Sequence, residues 1–543
     1  MDYKFWHIGY WSETWKMISD KEKRKFKVVL LIHLILSILF IQTQWYNVDE
    51  QGYFGYLLNW AKGDPYKVKL LTDSKTPMLF PAVLFTGLKP FLPESLYEND
   101  WYFFLKWGRL FLYVYPALLV YISFCWLRRL YNANMFVLPL LFLAFDPQIF
   151  SFGLMVGSDL PSAAILLTIC YTAYRYHETS EQRYWLYFAI AFGVGVTLKQ
   201  TFIFLYVLPV TWFALRTFKS KSINWKRTFK ELFIFAFIQL IIINCAYYFT
   251  GTFTSLNDYL FRSNGFKTLQ LQFSDNIGKV PIPLPVPFIQ GMDLLTYNKE
   301  FGGCSGLSTY TNVWFWGKEV CKGNIWYYYI GTALFKLPLI TWLAIVLLVY
   351  AFIRSKNKRV LLEKYQFLWI PFFVLLVLLS FYNQFQIGFR HAMPLLVLGY
   401  VALGYVWINW YRRYKKLLIA LIILHLISLG VYYPNYAAYT NELIWHKTNI
   451  SNYLQDASVD YGQADHWADA FIKKHPEYKK PTPKPEAGKF IVSLGKANMK
   501  YPEHPSLDIR WLGQHFKPVG NYRQTLVLYE VKEEDLKKLG LSY

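Results

Sequence analysis

Charged residues make up only 17% of this chain, against 55% hydrophobic and 20% aromatic. That scarcity excludes a string of soluble domains, although 543 residues would suffice for several. There is no Walker loop, no GxGxxG, no HExxH and no CxxC pair, which argues against a nucleotide-driven pump and against a tightly held structural metal. Acidic residues are the rarer sign, 35 against 57 basic, for a formal net charge of +22. The basic residues fall in short clusters between apolar runs, where they orient membrane spans and do not describe a nucleic-acid surface. Cysteine is sparse as well. Cys125, Cys170 and Cys245 lie within apolar runs, whereas Cys304 and Cys321 share one polar-aromatic loop. That loop pair reads equally as a disulfide on an oxidising side or as two free thiols.

What the chain does have is a series of apolar stretches, at 27–44, 110–127, 135–151, 161–176, 184–199, 201–216, 231–250, 327–353, 366–382, 393–410 and 417–433. They predict an all-α polytopic membrane protein with about eleven transmembrane helices. The first run follows polar sequence and has no small-residue cleavage site, so it reads as a retained span. If every stretch crosses, the clusters Lys21 to Lys27, Arg128 with Arg129, Arg175 with Arg183, Lys219 to Lys230, Arg354 to Arg359 and Arg412 to Lys416 share one face. That face is then cytoplasmic, with the N-terminus, in a cell (inner) membrane.

The outer side receives 45–109, 152–160, 251–326, 383–392 and everything after 433. Residues 1–433 read as a transmembrane domain with large outer loops 45–109 and 251–326, and 434–543 as a small extracytoplasmic α/β domain. In that tail WADAFIKKH has the period of an amphipathic helix, while KFIVSLG and TLVLYEV alternate as strands do. The segment YFGYLLNWAKG suits an interfacial helix, and the alternate prolines of PIPLPVP favour extended chain.

Chemistry-bearing residues cluster at the outer edge. Asp49-Glu50 directly follows the first span; the pair is either solvated or, partly desolvated, a general base facing a lipid-borne substrate. Asp159 in GSDLP and Asp146 in FDP both suit helix N-caps, a reading that fits Asp146 better and leaves Asp159 open. Lys199, then Arg390-His391 in RHAMP, with Lys336 as a weaker third, bring cations to a layer otherwise poor in them. They are either snorkelling side chains or phosphate ligands.

The order of these parts resembles a known family. An acidic DE after span one, SDLP in the second outer loop, a lysine after the fifth span, LPVPFIQGMDLL, WYYYIGTALFKLPL, RHAMPLLVLGY and the tail elements YYPNYAAYTNELI, VDYGQ and RWLGQHFKPVGNYRQTLVLYEV are together similar to the GT-C glycosyltransferases. The likeness is to protein O-mannosyltransferases (glycosyltransferase family 39) and their bacterial relatives that use polyprenyl-phosphate sugars. It implies a GT-C fold and an inverting glycosyltransferase that moves a monosaccharide from a polyprenyl phosphate to a hydroxyl of a protein (Ser/Thr) or of a glycan or lipid acceptor. It also implies Asp49 as catalytic base with Glu50 beside it, and Asp159, Lys199, Arg390 and His391 as substrate contacts. Asp460, Gly462 and Gln463 match a tail motif. No cofactor is required; a divalent metal stays open without being indicated. The expected partners are the polyprenyl-phosphate sugar, the acceptor and membrane lipids, with no nucleic acid. The competing class is a transporter or flippase of a lipid-linked sugar, which would call for related halves and charges in the middle of spans; neither is evident in the sequence.

Overall fold

The first long helix begins where Ser19 caps it. Its hydroxyl accepts from the Glu22 N–H while Glu22 accepts from the Ser19 N–H, a capping box that opens α1 (Asp20–Thr43). A computed structural model describes residues 18–67, 75–96, 101–131, 136–212, 225–275, 278–301, 313–320, 325–410, 414–498 and 508–541. Cys304 and Cys321 lie outside the described residues.

After α1 the chain turns into α2 (Val48–Ala61), the segment read as interfacial. Tyr53, Phe54, Tyr56 and Leu57 are buried, because α2 packs on the 3-10 stretch Pro77–Phe91 and so rests on protein along that side. Next come α3 (Trp101–Phe111) and α4 (Val114–Tyr131), which join into one long apolar rod. Gly108 makes the contact between α3 and the 3-10 stretch, for a Cβ there would run into the Ala82 carbonyl oxygen.

The following apolar run is broken into α5 (Val137–Ala144) and α6 (Pro147–Gly153). The break falls at Asp146, which caps α6 by accepting from Gln148 N–H and Ile149 N–H at 2.9 and 3.1 Å. α7 (Asp159–Thr179) runs through the middle of the bundle, packed against α4, α8 (Gln182–Leu198) and the later helix at 393–410. α9 (Trp225–Ala246) flanks α8.

On the polar side, α10 (Asn264–Phe273) is held to α11 (Val286–Phe301) by two carboxylates of α11. Asp293 accepts from the backbone N–H groups of Arg262 and Ser263, and Glu300 from those of Asn264 and Gly265. The proline run is extended only at its start: Pro287 sits in the first turn of α11, a position where a missing N–H costs nothing. A short hairpin pairs β1 (Val313–Phe315) with β2 (Lys318–Val320). α12 (Tyr328–Lys336) and α13 (Leu339–Arg354) are separated at Pro338. α14 (Lys358–Lys364) and α15 (Gln366–Val377) follow, then α16 (Met393–Trp410) and α17 (Lys415–Tyr432).

Among the described residues five helices are long and apolar enough to cross a membrane: Asp20–Thr43, Trp101–Tyr131, Trp225–Ala246, Phe389–Trp407 and Lys415–Tyr432. The pair Lys358–Lys364 and Gln366–Tyr382, bent by 80°, makes a sixth if it is one span. The remaining stretches read from the sequence are shorter or more polar. α7 shows why: it carries Asp159, Ser162, Thr168 and Thr172, yet most of it is buried among other helices, so protein and not lipid surrounds its polar groups.

Beyond α17 a four-stranded sheet has the order β3 (Tyr478–Lys479), β4 (Gly488–Ser493), β6 (Leu526–Val531), β5 (Gly520–Tyr522). β3 runs parallel to β4, and the other two pairs are antiparallel. The amphipathic helix α18 (Ala464–Lys474) covers the sheet through Trp467 and Ala468, which meet Ile491 and Leu526. The segments KFIVSLG and TLVLYEV supply β4 and β6.

Two glycines on neighbouring helices separate packing from propensity. Gly108→Ala should lower the thermal unfolding midpoint in detergent, because backbone must move to admit the methyl. Gly55→Ala in α2 meets nothing within 4 Å and should raise it, by about 0.5–1 kcal/mol of helix propensity. Equal midpoints for the two variants would contradict the close approach at Ala82.

Candidate active site

The N-terminus of α2 is built by a capping box whose members include one of the two acidic residues. The Asn47 side chain accepts from Asp49 N–H and Glu50 N–H at 3.0 Å, and Glu50 Oε2 accepts from Asn47 N–H at 3.0 Å. Glu50 is fully buried and its oxygens are saturated. Arg109 donates Nε to Oε1 at 2.9 Å and Nη2 to Oε2 at 2.6 Å, and the Val156 N–H reaches Oε1 at 2.7 Å. Arg109 also donates to the Gln44 and Trp45 carbonyls. One buried ion pair thereby ties the end of α1, the start of α2, α3 and the 152–160 loop into one block, with every partner hydrogen-bonded.

Asp49, one position earlier, points the other way. Its side chain is 28% exposed, and Oδ2 accepts Nη1 of Arg390 at 2.9 Å and the hydroxyl of Tyr461. Its Oδ1 receives no hydrogen bond among the described residues; the Lys75 ammonium stands 4.0 Å from it. Lys75 in turn lies over the Tyr53 ring, 4.1 Å from its centroid. Burial pushes the Asp49 carboxyl up, but the charges of Arg390 and Lys75 together with the Tyr461 hydrogen bond outweigh it and hold the group at about 2.

Arg390 is the hub. The same Nη1 that meets Asp49 lies 3.3 Å from Asp159 Oδ2, and Asp159 Oδ1 takes the Lys199 ammonium at 2.8 Å. The arginine is positioned by the 3-10 turn Phe389–Ala392, which follows Gly388 at φ 100°. Lys199 closes the end of α8, and Asp159 opens α7. Asp159 is therefore an ion-cluster residue and Asp146 a helix cap, which resolves the choice the sequence left open. His391 has Nδ1 2.9 Å from the Phe385 carbonyl oxygen, and its ring is close enough to Asp159 and Lys199 to feel their charges. Lys336 does not join the cluster: it is buried elsewhere and donates to the Ala437 and Tyr439 carbonyls.

The tail motif arrives at the same place. Asp460 Oδ1 accepts from Gly462 N–H at 3.0 Å and Gln463 Oε1 from Tyr461 N–H at 2.6 Å. The Gln463 amide holds Asn435, which holds the Arg523 carbonyl. Asp460 and Gln463 thus shape a turn, and of the two residues between them Tyr461 makes the contact. Its ring lies under the Arg390 guanidinium at 4.3 Å, and its carbonyl accepts from Val48 N–H at 3.0 Å.

Of the residues expected from sequence, Asp49, Asp159, Lys199 and Arg390 come together, while Glu50, His391, Asp460 and Gln463 stand beside that cluster. Sequence reasoning missed Lys75, Arg109 and Tyr461. The Asn47-x-x-Glu50 spacing of a capping box was the available sign that Glu50 is turned inward, and the VDYGQ element held Tyr461 between the residues singled out; no local pattern marks Lys75 or Arg109. Among the described residues no group of three or more His, Cys, Asp or Glu side chains converges in a way that could hold a metal ion.

Residues 106–248 match the family model described as dolichyl-phosphate-mannose-protein mannosyltransferase. That segment carries Arg109, Asp159 and Lys199, and the match supports the GT-C resemblance read from the sequence. No curated protein matches the chain. Among solved structures, the crystal structure of ArnT from Cupriavidus metallidurans in the apo state is similar over 94% of this chain and 98% of that one, at 12% identity and a TM-score of 0.33, a likeness too distant to bear on the site.

The buried pair gives a direct test of the block beneath the cluster. Arg109→Met leaves Glu50 charged, buried and short of its main partner, and should cost about 3–5 kcal/mol, read as the shift in denaturant unfolding in detergent. Combining it with Glu50→Gln should recover part of that loss. Additive costs would show that the two side chains do not act as a pair.

Proposed function

We propose that the chain is an inverting glycosyltransferase of the cell membrane, which moves a monosaccharide from a polyprenyl phosphate to a hydroxyl of a protein, glycan or lipid on the outer face. The observation that carries this reading is the pairing of one partly exposed carboxylate, Asp49, with a cluster of cations, Arg390, Lys199 and Lys75, that suits a phosphate.

Asp49 Oδ1 takes the proton of the acceptor hydroxyl, the acceptor oxygen attacks the anomeric carbon, and the bond from that carbon to the phosphate oxygen breaks. One displacement inverts the anomeric centre. The departing polyprenyl phosphate gains a negative charge, which Arg390 and Lys199 stabilise. While Arg390 is engaged with Asp49 the carboxylate is a weak base. A phosphodiester that competes for Arg390 withdraws that positive charge and raises the basicity of Asp49, so the donor itself prepares the base. Glu50 acts indirectly in this scheme: its pairing with Arg109 keeps α2 aimed so that Asp49 faces the cations.

The same contacts support the membrane topology. Asp49, Asp159, Lys199, Arg390 and Tyr461 meet, so the chain crosses the bilayer an even number of times between each successive pair. The five long helices alone give one crossing between Asp49 and Asp159. Counting the broken α5–α6 run, α7, α8, the helix Gln200–Trp212, the α12–α13 run and the bent α14–α15 pair as crossings restores an even number at every step. That yields the about eleven spans read from hydropathy, with residues 434–543 on the same outer side as Asp49, the periplasmic side in a bacterium.

The test is transfer of labelled sugar from a panel of synthetic polyprenyl-phosphate monosaccharides, with membrane extract as acceptor source. Wild type is expected to label a macromolecule, and Asp49→Asn, folded and inserted, to lose at least the about 10²–10⁴-fold that a general base contributes. Near-normal transfer by Asp49→Asn would remove the mechanism. Donor carried across vesicles by wild type with nothing labelled would replace the reading with that of a transporter.

A further inference from the structure

The chemistry above leaves one contact at the reacting centre without a part. Tyr461 is supplied by the C-terminal tail, 412 residues from Asp49 in sequence, and three separate features aim it. The Gly462 backbone sits at φ +89°, and a Cβ there would come within 2.7 Å of Val48 Cγ2, so a side chain in place of that hydrogen would be strained and would press the turn away from the start of α2. The Tyr461 carbonyl accepts from the Val48 N–H at 3.0 Å, and Gln463 Oε1 accepts from the Tyr461 N–H at 2.6 Å. The phenol is thus held from both sides of its own backbone, at the first turn of the helix that carries Asp49.

The two donors to Asp49 share one oxygen. Arg390 Nη1 and the Tyr461 hydroxyl both go to Oδ2, while among the described residues Oδ1 has only the Lys75 ammonium, at 4.0 Å. A carboxylate side chain turns readily about its last bond, because that torsion is broad and two-fold. A general base has to present a particular oxygen at hydrogen-bond distance from the proton it removes.

We propose that Tyr461 is a positioning residue for sugar transfer: its hydroxyl, fixed by the tail turn, pins Oδ2 of Asp49 and so keeps Oδ1 turned toward the acceptor hydroxyl. This rests on the reading of Asp49 as the base. It adds that the C-terminal segment is an integral part of the reacting centre, and it divides the tyrosine into two functions. The hydroxyl orients the base. The ring, stacked on the guanidinium, holds Arg390 in the plane from which it serves both Asp49 and the donor phosphate. When the phosphate draws Arg390 away, the phenol is the remaining donor on Oδ2, which is when its orienting effect counts most.

The two functions separate in two variants of the full-length protein, assayed with whichever donor wild type uses. Tyr461→Phe removes the hydroxyl and keeps the ring. It should lower kcat about ten- to a hundredfold, the worth of one hydrogen bond to a charged group, with KM for donor and acceptor within about twofold of wild type. Tyr461→Leu removes the stack as well and should raise the donor KM in addition. A Tyr461→Phe enzyme with wild-type kcat, or one whose loss lies entirely in the donor KM, overturns the proposal. So does a Tyr461→Phe protein that fails to fold, since the hydroxyl would then serve the fold and not the rate. Asp49→Asn run alongside keeps the two ideas apart: if it is inactive while Tyr461→Phe is normal, the base stands and the tyrosine's role falls. An active Asp49→Asn removes both.

Discussion

A guanidinium that serves two carboxylates is the constraint around which this molecule is arranged. Arg390 meets Asp49 at 2.9 Å and Asp159 at 3.3 Å through one nitrogen and lies over Tyr461, all in a nearly buried position. A buried cation of that kind persists only if its partners are held in place. The partners come from the start of α2, the start of α7 and the turn before α18. The break between α15 and α16, the end of α8 and the docking of the tail on α2 all place a charged or aromatic group within reach of that one side chain.

Rigidity below the cluster comes from a second ion pair with a different character. Glu50 and Arg109 are both fully enclosed, both Glu50 oxygens and the two terminal Arg109 nitrogens have partners outside the pair, and Gly108 lets α3 approach closely enough to deliver the arginine. Adjacent acidic residues therefore divide the labour: Glu50 faces inward and is saturated, whereas Asp49 faces outward with one oxygen still able to accept. That division follows from helix geometry, since neighbouring positions on a helix diverge by about 100°.

Much of this was legible in the chain, for identifiable reasons. Long apolar runs such as 27–44 and 417–433 announce their helices, and the alternation in KFIVSLG and TLVLYEV announces strands, because burial imposes its period locally. The cations Lys199 and Arg390 stood out as charges in a layer with few of them. What could not be read were contacts between distant segments. Tyr461 is one of 44 tyrosines; its place inside VDYGQ marks the segment, but nothing local says that its hydroxyl meets Asp49. Arg109 sits in an apolar rod as any snorkelling arginine would. α7 illustrates the converse: its polar residues weaken its hydropathy because protein, not lipid, surrounds it.

The account turns on an exchange of partners at Arg390, from carboxylate to phosphate. The measurement that tests it most directly is a structure of the protein bound to a non-cleavable polyprenyl phosphonate analogue of the donor. The account requires the phosphonate oxygens within hydrogen-bond distance of Arg390 and Lys199, with the Arg390–Asp49 contact lengthened and Asp49 Oδ1 open beside the sugar's anomeric carbon. A phosphonate bound away from Arg390, with the Asp49 ion pair intact, would contradict it.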